Sequence, residues 1–179
     1  MIIAGTFKKR GASAPNYWQL NWRDCFSYFK TATLFCLIIF LPLSITILIV
    51  GQICLYFGCK FTQPIVEELI QLNTWKPAAA FLTGAVIIAP LWEELYFRGI
   101  LYPVLKKFMP LGWAMFGSSL AWALIHWHWP VFLPFTFLGC ALCLLYEQTG
   151  KIGNAIAAHM IFNTLNITLL LLEKYYGNT

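Results

Sequence analysis

Long apolar runs separated by short polar stretches set the pattern of this chain. Five of them reach or approach the roughly 20 residues that cross a bilayer as a helix. They run from Ala32 to Phe57, Ala79 to Leu105, Gly112 to Trp129, Val131 to Tyr146 and Ile152 to Leu172. The fourth is short and opens on Pro130 and Pro134, which makes it the weakest of the five. Between the first two runs, "KFTQPIVEELIQLNTWK" repeats Ile65, Leu69 and Leu72 at helical spacing around Glu67 and Glu68, which predicts a surface helix. The fold class expected is therefore all-α: a polytopic transmembrane helical bundle of about five spans.

Charge and aromatic content refine that picture at the ends. The first 30 residues mix Lys8, Lys9, Arg10, Arg23 and Lys30 with Tyr17, Trp18, Trp22, Phe26, Tyr28 and Phe29, as in a segment lying at the membrane interface. The apolar run behind them starts too late, and is too long, for a signal peptide. The organisation expected is an interfacial segment over 1–30, a first span with its amphipathic loop over 31–78, a core over 79–173 and a tail over 174–179. Only 11% of the 179 residues are charged, against about a quarter in an ordinary soluble domain. The net charge of +5 is dispersed rather than gathered into a nucleic-acid patch, so no nucleic-acid partner is expected.

Lys and Arg in the loops orient the bundle. A cytoplasmic N-terminus puts Lys8, Lys9, Arg10, Arg23, Lys30, Lys106, Lys107 and Lys151 on the inside, and leaves Lys60, Lys76 and Lys174 outside. The expected location is a cell membrane, multi-pass, with the N-terminus in the cytoplasm. Of the six cysteines, Cys140 and Cys143 make a CxxC within an apolar run and have no second pair nearby. All six are expected to be reduced, buried and structural.

Ionisable groups inside spans are costly and point to function. Here they are Glu93, Glu94 and Arg98 in the second run, His126 and His128 near the end of the third, and His159 in the fifth, with Asn163 one turn later. At 1.5 Å per residue, Glu93 and His126 each lie about 21 Å from the basic end of their helices, with His159 about 12 Å and Asn163 about 18 Å from theirs. Three helices thus bring polar groups to similar depth. The Glu67–Glu68 pair lacks a following arginine and lies outside the long runs, which marks it as surface.

Helical spacing assigns faces. Glu94 and Arg98 stand at i and i+4 and can pair. Glu93 is turned about 100° away and is left without that partner. A carboxylate so placed suits general-base work. His159 and Asn163 share a face, and Trp122 lies one turn before His126, where its indole can pack on the imidazole. His128 points elsewhere, toward the interface with Trp127 and Trp129. A carboxylate, two imidazoles and a carboxamide converging in a membrane cavity can activate water and hold an oxyanion, the requirements of amide hydrolysis.

"EELYFR" (Glu93–Arg98), "SSLAWALIH" (Ser118–His126) and "HMIFN" (His159–Asn163) resemble, in order and spacing, the EExxxR, FxxxH and HxxxN motifs of the CAAX-protease and bacteriocin-processing (Abi) family of intramembrane proteases. The resemblance covers about residues 80 to 170. It implies a glutamic-type intramembrane endopeptidase. Glu93 would be the water-activating base helped by His126, with His159 and Asn163 holding the oxyanion. Glu94 completes the catalytic set, and Arg98 and Trp122 support it. Trp122 stands where the motif has Phe, a departure that bears on cavity shape more than chemistry. Only one span precedes the core, a near-minimal arrangement for the family.

The resemblance implies metal-free chemistry and no cofactor. Were zinc bound, Glu93, His126 and His159 would make the His2Glu set. The partners implied are the lipid bilayer and a membrane-anchored protein or peptide substrate. Two other readings compete with the protease. One is an inactive membrane scaffold or lipoprotein-modification partner of the same fold. The other is a transporter or proton path, against which no inverted repeat is visible.

Overall fold

The computed structural model describes residues 20–61, 67, 69, 71 and 74–177. Among them are five α-helices and no strand: α1 (Cys25–Phe57), α2 (Trp75–Phe108), α3 (Leu111–Ile125), α4 (Trp129–Thr149) and α5 (Ile152–Gly177). Four of these are long and apolar enough to cross a membrane; α3, with 15 residues, is shorter.

Two expectations change here. The proline-opened fourth run is a full 21-residue helix, whereas the third stops at Ile125, so His126 caps it rather than lying within it. Proline needs no N–H in a first helical turn, so Pro130 starts α4 instead of weakening it. At the N-terminus, residues 25–30 already belong to α1, which begins well before Ala32. Lys8, Lys9, Arg10, Tyr17, Trp18, Ile65, Glu68 and Leu72 lie outside the described residues. Glu67 is helical and pairs with Lys60 at 3.3 Å, and Leu69 is buried.

The chain ends of the helices carry their own stop signals. Gly58 and Gly150 close α1 and α4 with φ of +66°, a conformation glycine adopts without strain. One end of the bundle collects basic residues. Lys151 bonds Asp24 at 3.1 Å, and Lys106 reaches both oxygens of Glu147 at 2.7 and 2.8 Å. The starts of α1 and α5 therefore share an end with the termini of α2 and α4. Gly153 lies against the Tyr28 ring, where any Cβ would come within 2.5 Å.

The helix α2 is not regular. Over Gly84–Ile88 and again over Phe97–Leu101 it widens into π-helical turns, with the amide of Ala89 reaching back five residues to Gly84 and that of Tyr102 to Phe97. In each case a proline stands six residues after the first residue of the turn, Pro90 and Pro103. Proline offers no N–H and its ring collides with the carbonyl four residues back, so the helix opens rather than breaks. These two turns bracket Glu93 and Glu94.

Polarity is distributed inside out. Leu34, Leu37, Ile38, Phe40 and Leu41 of α1 are exposed, while Glu94, Arg98, Ser118, Ser119, Asn154 and His159 are buried. Two apolar clusters enclose those polar groups, one around Phe97, Trp122, Leu138 and Leu142, the other around Tyr102, Cys143, Tyr146 and Ile156. The cysteines are all free, as expected, but only Cys54 and Cys143 are buried; Cys25 is exposed.

Candidate active site

Glu94 and Arg98 occupy the same face of α2, and the surrounding helices leave neither any exposed surface. Arg98 Nη1 donates to Glu94 Oε1 at 2.8 Å, and Nη2 donates to the carbonyl of Gly139 on α4 at 3.2 Å. The guanidinium also lies 5.0 Å from the centre of the Trp122 ring, a favourable cation–π geometry. Gly139 makes this possible because a Cβ there would meet Ser119 Cβ at 2.7 Å, so only glycine lets α3 and α4 approach so closely. The pairing expected from the i, i+4 spacing is present.

His159 of α5 lies between the two glutamates. Its Nδ1 is 2.9 Å from Glu94 Oε1 and its Nε2 is 3.8 Å from Glu93 Oε2. An ionised carboxylate only accepts, so Nδ1 carries the proton in that bond. His126 is fixed in a similar way: its Nδ1 lies 2.9 Å from the carbonyl of Trp122, which also only accepts, leaving Nε2 of the neutral ring as an acceptor. Its ring meets that of Trp122 edge-on, with centroids 5.1 Å apart, the packing expected from their spacing.

Glu93 differs from expectation. It is turned away from Arg98, yet it has a partner: Trp122 Nε1 donates to its Oε2 at 2.6 Å. Its Oε1 accepts no hydrogen bond among the described residues, and the side chain keeps 21% of its surface exposed. The replacement of Phe by Trp at residue 122 therefore alters the chemistry of the site, because it brings a donor. Spacing along one helix could not reveal this contact, which depends on how α3 approaches α2.

Asn163 is less free than expected. Its Nδ2 donates at 2.8 Å to the carbonyl of Ala85, in the first π-turn. With the Ala89 amide engaged by Gly84 and no N–H on Pro90, that carbonyl has lost its helical donors. One N–H of the carboxamide is thus committed, and the other remains. His128 is outside the site, 3.1 Å from the carbonyl of Phe61, and tethers the α3–α4 turn to the loop after α1.

Glu93, Glu94, Arg98, Trp122, His126 and His159 are thus gathered at one place, with Asn163 a turn further along α5. Among the described residues no three His, Cys, Asp or Glu side chains are arranged to hold a metal ion. The Nδ1 atoms of His126 and His159 are engaged by the Trp122 carbonyl and by Glu94.

Comparison with known proteins places the chain in a family. The chain matches the family described as type II CAAX prenyl endopeptidase Rce1-like over residues 74–165, just over half its length and including all three motifs. It is 29% identical over 85 residues to the protein named "Putative membrane peptidase YdiL" of Bacillus subtilis (strain 168). That stretch is 48% of this chain and 35% of the relative, so the chain spans about a third of the curated protein it matches. No solved structure matches it. The chain is a multi-pass membrane protein and belongs to the type II CAAX prenyl endopeptidase Rce1-like family, one of the CAAX-protease and bacteriocin-processing proteins.

Proposed function

We propose that the chain is an intramembrane endopeptidase that hydrolyses a peptide bond of a membrane-anchored protein or peptide with water activated by Glu93. The observation that carries this reading is the state of the Glu93 carboxylate. Oε2 is held by Trp122 and lies 3.8 Å from His159 Nε2, while Oε1 is unengaged among the described residues on a side chain that is partly exposed, and the neighbouring Glu94 is locked in a buried pair with Arg98.

In this reading Glu93 Oε1 takes a proton from water as the hydroxide oxygen bonds to the substrate carbonyl carbon. The neutral His126 Nε2 accepts a second hydrogen bond from the same water and orients it. The carbonyl becomes an oxyanion, met by the spare N–H of Asn163 and, in the imidazolium form, by His159 Nε2. The C–N bond then breaks as the Glu93 carboxylic acid returns its proton to the leaving amine. Glu94 and Arg98 contribute no proton; they hold His159 through its Nδ1.

The core of this activity is residues 79–173. Basic residues gathered at the shared end of α1, α2, α4 and α5 support a cytoplasmic N-terminus in a cell membrane. The test compares termini of membrane-associated proteins in cells carrying the wild type or Glu93→Gln, which keeps shape and removes the base. One or a few proteins retain an uncut segment only in the mutant if the reading is right. Identical termini, with both forms present in the membrane, would leave a scaffold of the same fold as the better account.

A further inference from the structure

The indole of Trp122 is enclosed on every side. It is 1% exposed, stacks on Phe135 with centroids 5.3 Å apart and planes at 22°, and meets the rings of His126 and His159 edge-on. With Arg98 against it as well, the ring has no room to rotate, and its N–H points one way, to Glu93 Oε2 at 2.6 Å. The carboxylate it holds has a competing partner, His159 Nε2, at 3.8 Å, just beyond hydrogen-bond reach.

We propose that Trp122 is a positioning residue for Glu93, whose indole N–H anchors Oε2, keeps the carboxylate from closing onto His159 and leaves Oε1 to the attacking water. This rests on Glu93 being the base of the proposed hydrolysis. The phenylalanine of the family motif can supply the ring packing but has no N–H. The anchor is therefore a property of this chain at residue 122. Without it, Glu93 Oε2 is free to accept from Nε2 of the His159 imidazolium, and the base is drawn away from the water it must deprotonate.

The full chain in liposomes tests this with two substitutions at residue 122. Trp122→Phe installs the motif's own residue, and benzothienylalanine keeps the bicyclic shape while replacing the N–H with sulfur. Infrared difference spectra against Glu93→Gln identify the carboxylate stretch of Glu93 without any substrate. Both substitutions are expected to shift that band, and to lower kcat about tenfold with KM unchanged on the protein that Glu93→Gln cells fail to cut, as for loss of one hydrogen bond to a charged group. A band that stays in place in both variants overturns the proposal, as does full turnover in the benzothienylalanine form, which would reduce Trp122 to packing. A band that shifts in a chain with no Glu93-dependent cleavage would instead sink the hydrolase reading and leave the anchor standing.

Discussion

Asn163 and Ala85 are joined by a 2.8 Å hydrogen bond between a side chain of α5 and a backbone carbonyl of α2 that its own helix has abandoned. The bond ties the widened turn before Glu93 to the helix that carries His159. It couples the geometry of the site to the presence of Pro90.

That coupling predicts a double-mutant cycle. Asn163→Ala leaves a part-buried carbonyl without its donor and is expected to cost about 1 kcal/mol. Pro90→Ala restores an N–H and lets α2 close to a regular helix, so in that background Asn163→Ala should cost clearly less. Unfolding of the purified protein in mixed micelles measures both. Equal costs in the two backgrounds would show that Ala85 never depended on Asn163.

Arg98 and Glu94 form a pair with no exposed surface, so breaking it from one side is severe. Arg98→Leu strands a buried carboxylate and should destabilise by about 3–5 kcal/mol. Adding Glu94→Gln removes the charge and should recover much of that loss of stability. The double variant keeps an amide oxygen that can accept from His159 Nδ1 but loses the carboxylate charge beside that imidazole, and should cleave poorly. A double variant no more stable than Arg98→Leu would argue against a charge effect.

Gly139→Ala tests the helix contact on which Arg98 depends. A Cβ at residue 139 would meet Ser119 Cβ at 2.7 Å and Ser119 Cα at 3.1 Å, so α3 and α4 must separate. The expected cost is about 1–3 kcal/mol, as for overpacking elsewhere. Ser119→Gly, which removes the obstructing Cβ, should relieve part of it. Unfolding midpoints of the two single variants and the double variant decide the matter.

Glu67 serves as the negative control among the acidic residues. It is partly exposed and pairs with the exposed Lys60. Such pairs are worth about 0–1 kcal/mol. Glu67→Gln should leave both cleavage and stability within error of wild type, and a loss of cleavage would mean that the first loop touches substrate.

Much of this architecture was legible in the sequence because lipid imposes a simple rule on it. Runs near Ala32–Phe57, Ala79–Leu105 and Ile152–Leu172 had to be helices, and the i, i+4 spacing of Glu94 and Arg98 was enough to pair them. What failed was finer. The apolar character of "IHWHWP" hid the end of α3 at Ile125, since tryptophan and histidine suit a membrane edge as well as a helix interior. Periodicity assumes a uniform 3.6-residue helix, so the π-turns of α2 were missed although Pro90 and Pro103 signalled them. The Trp122–Glu93 bond had no signal along the chain, because its two ends lie 29 residues apart on different helices.

The most direct test of Glu93 as the water-activating base uses isotopically labelled water. Purified wild-type or Glu93→Gln chain is incubated, in water enriched in 18O, with membranes from cells that carry only the Glu93→Gln form. New carboxyl termini are then mapped by mass spectrometry. Wild-type chain should generate at least one new terminus carrying 18O, and the Glu93→Gln chain none. Equal cleavage by both chains, or none by either while both are folded in the membrane, would contradict hydrolysis by Glu93.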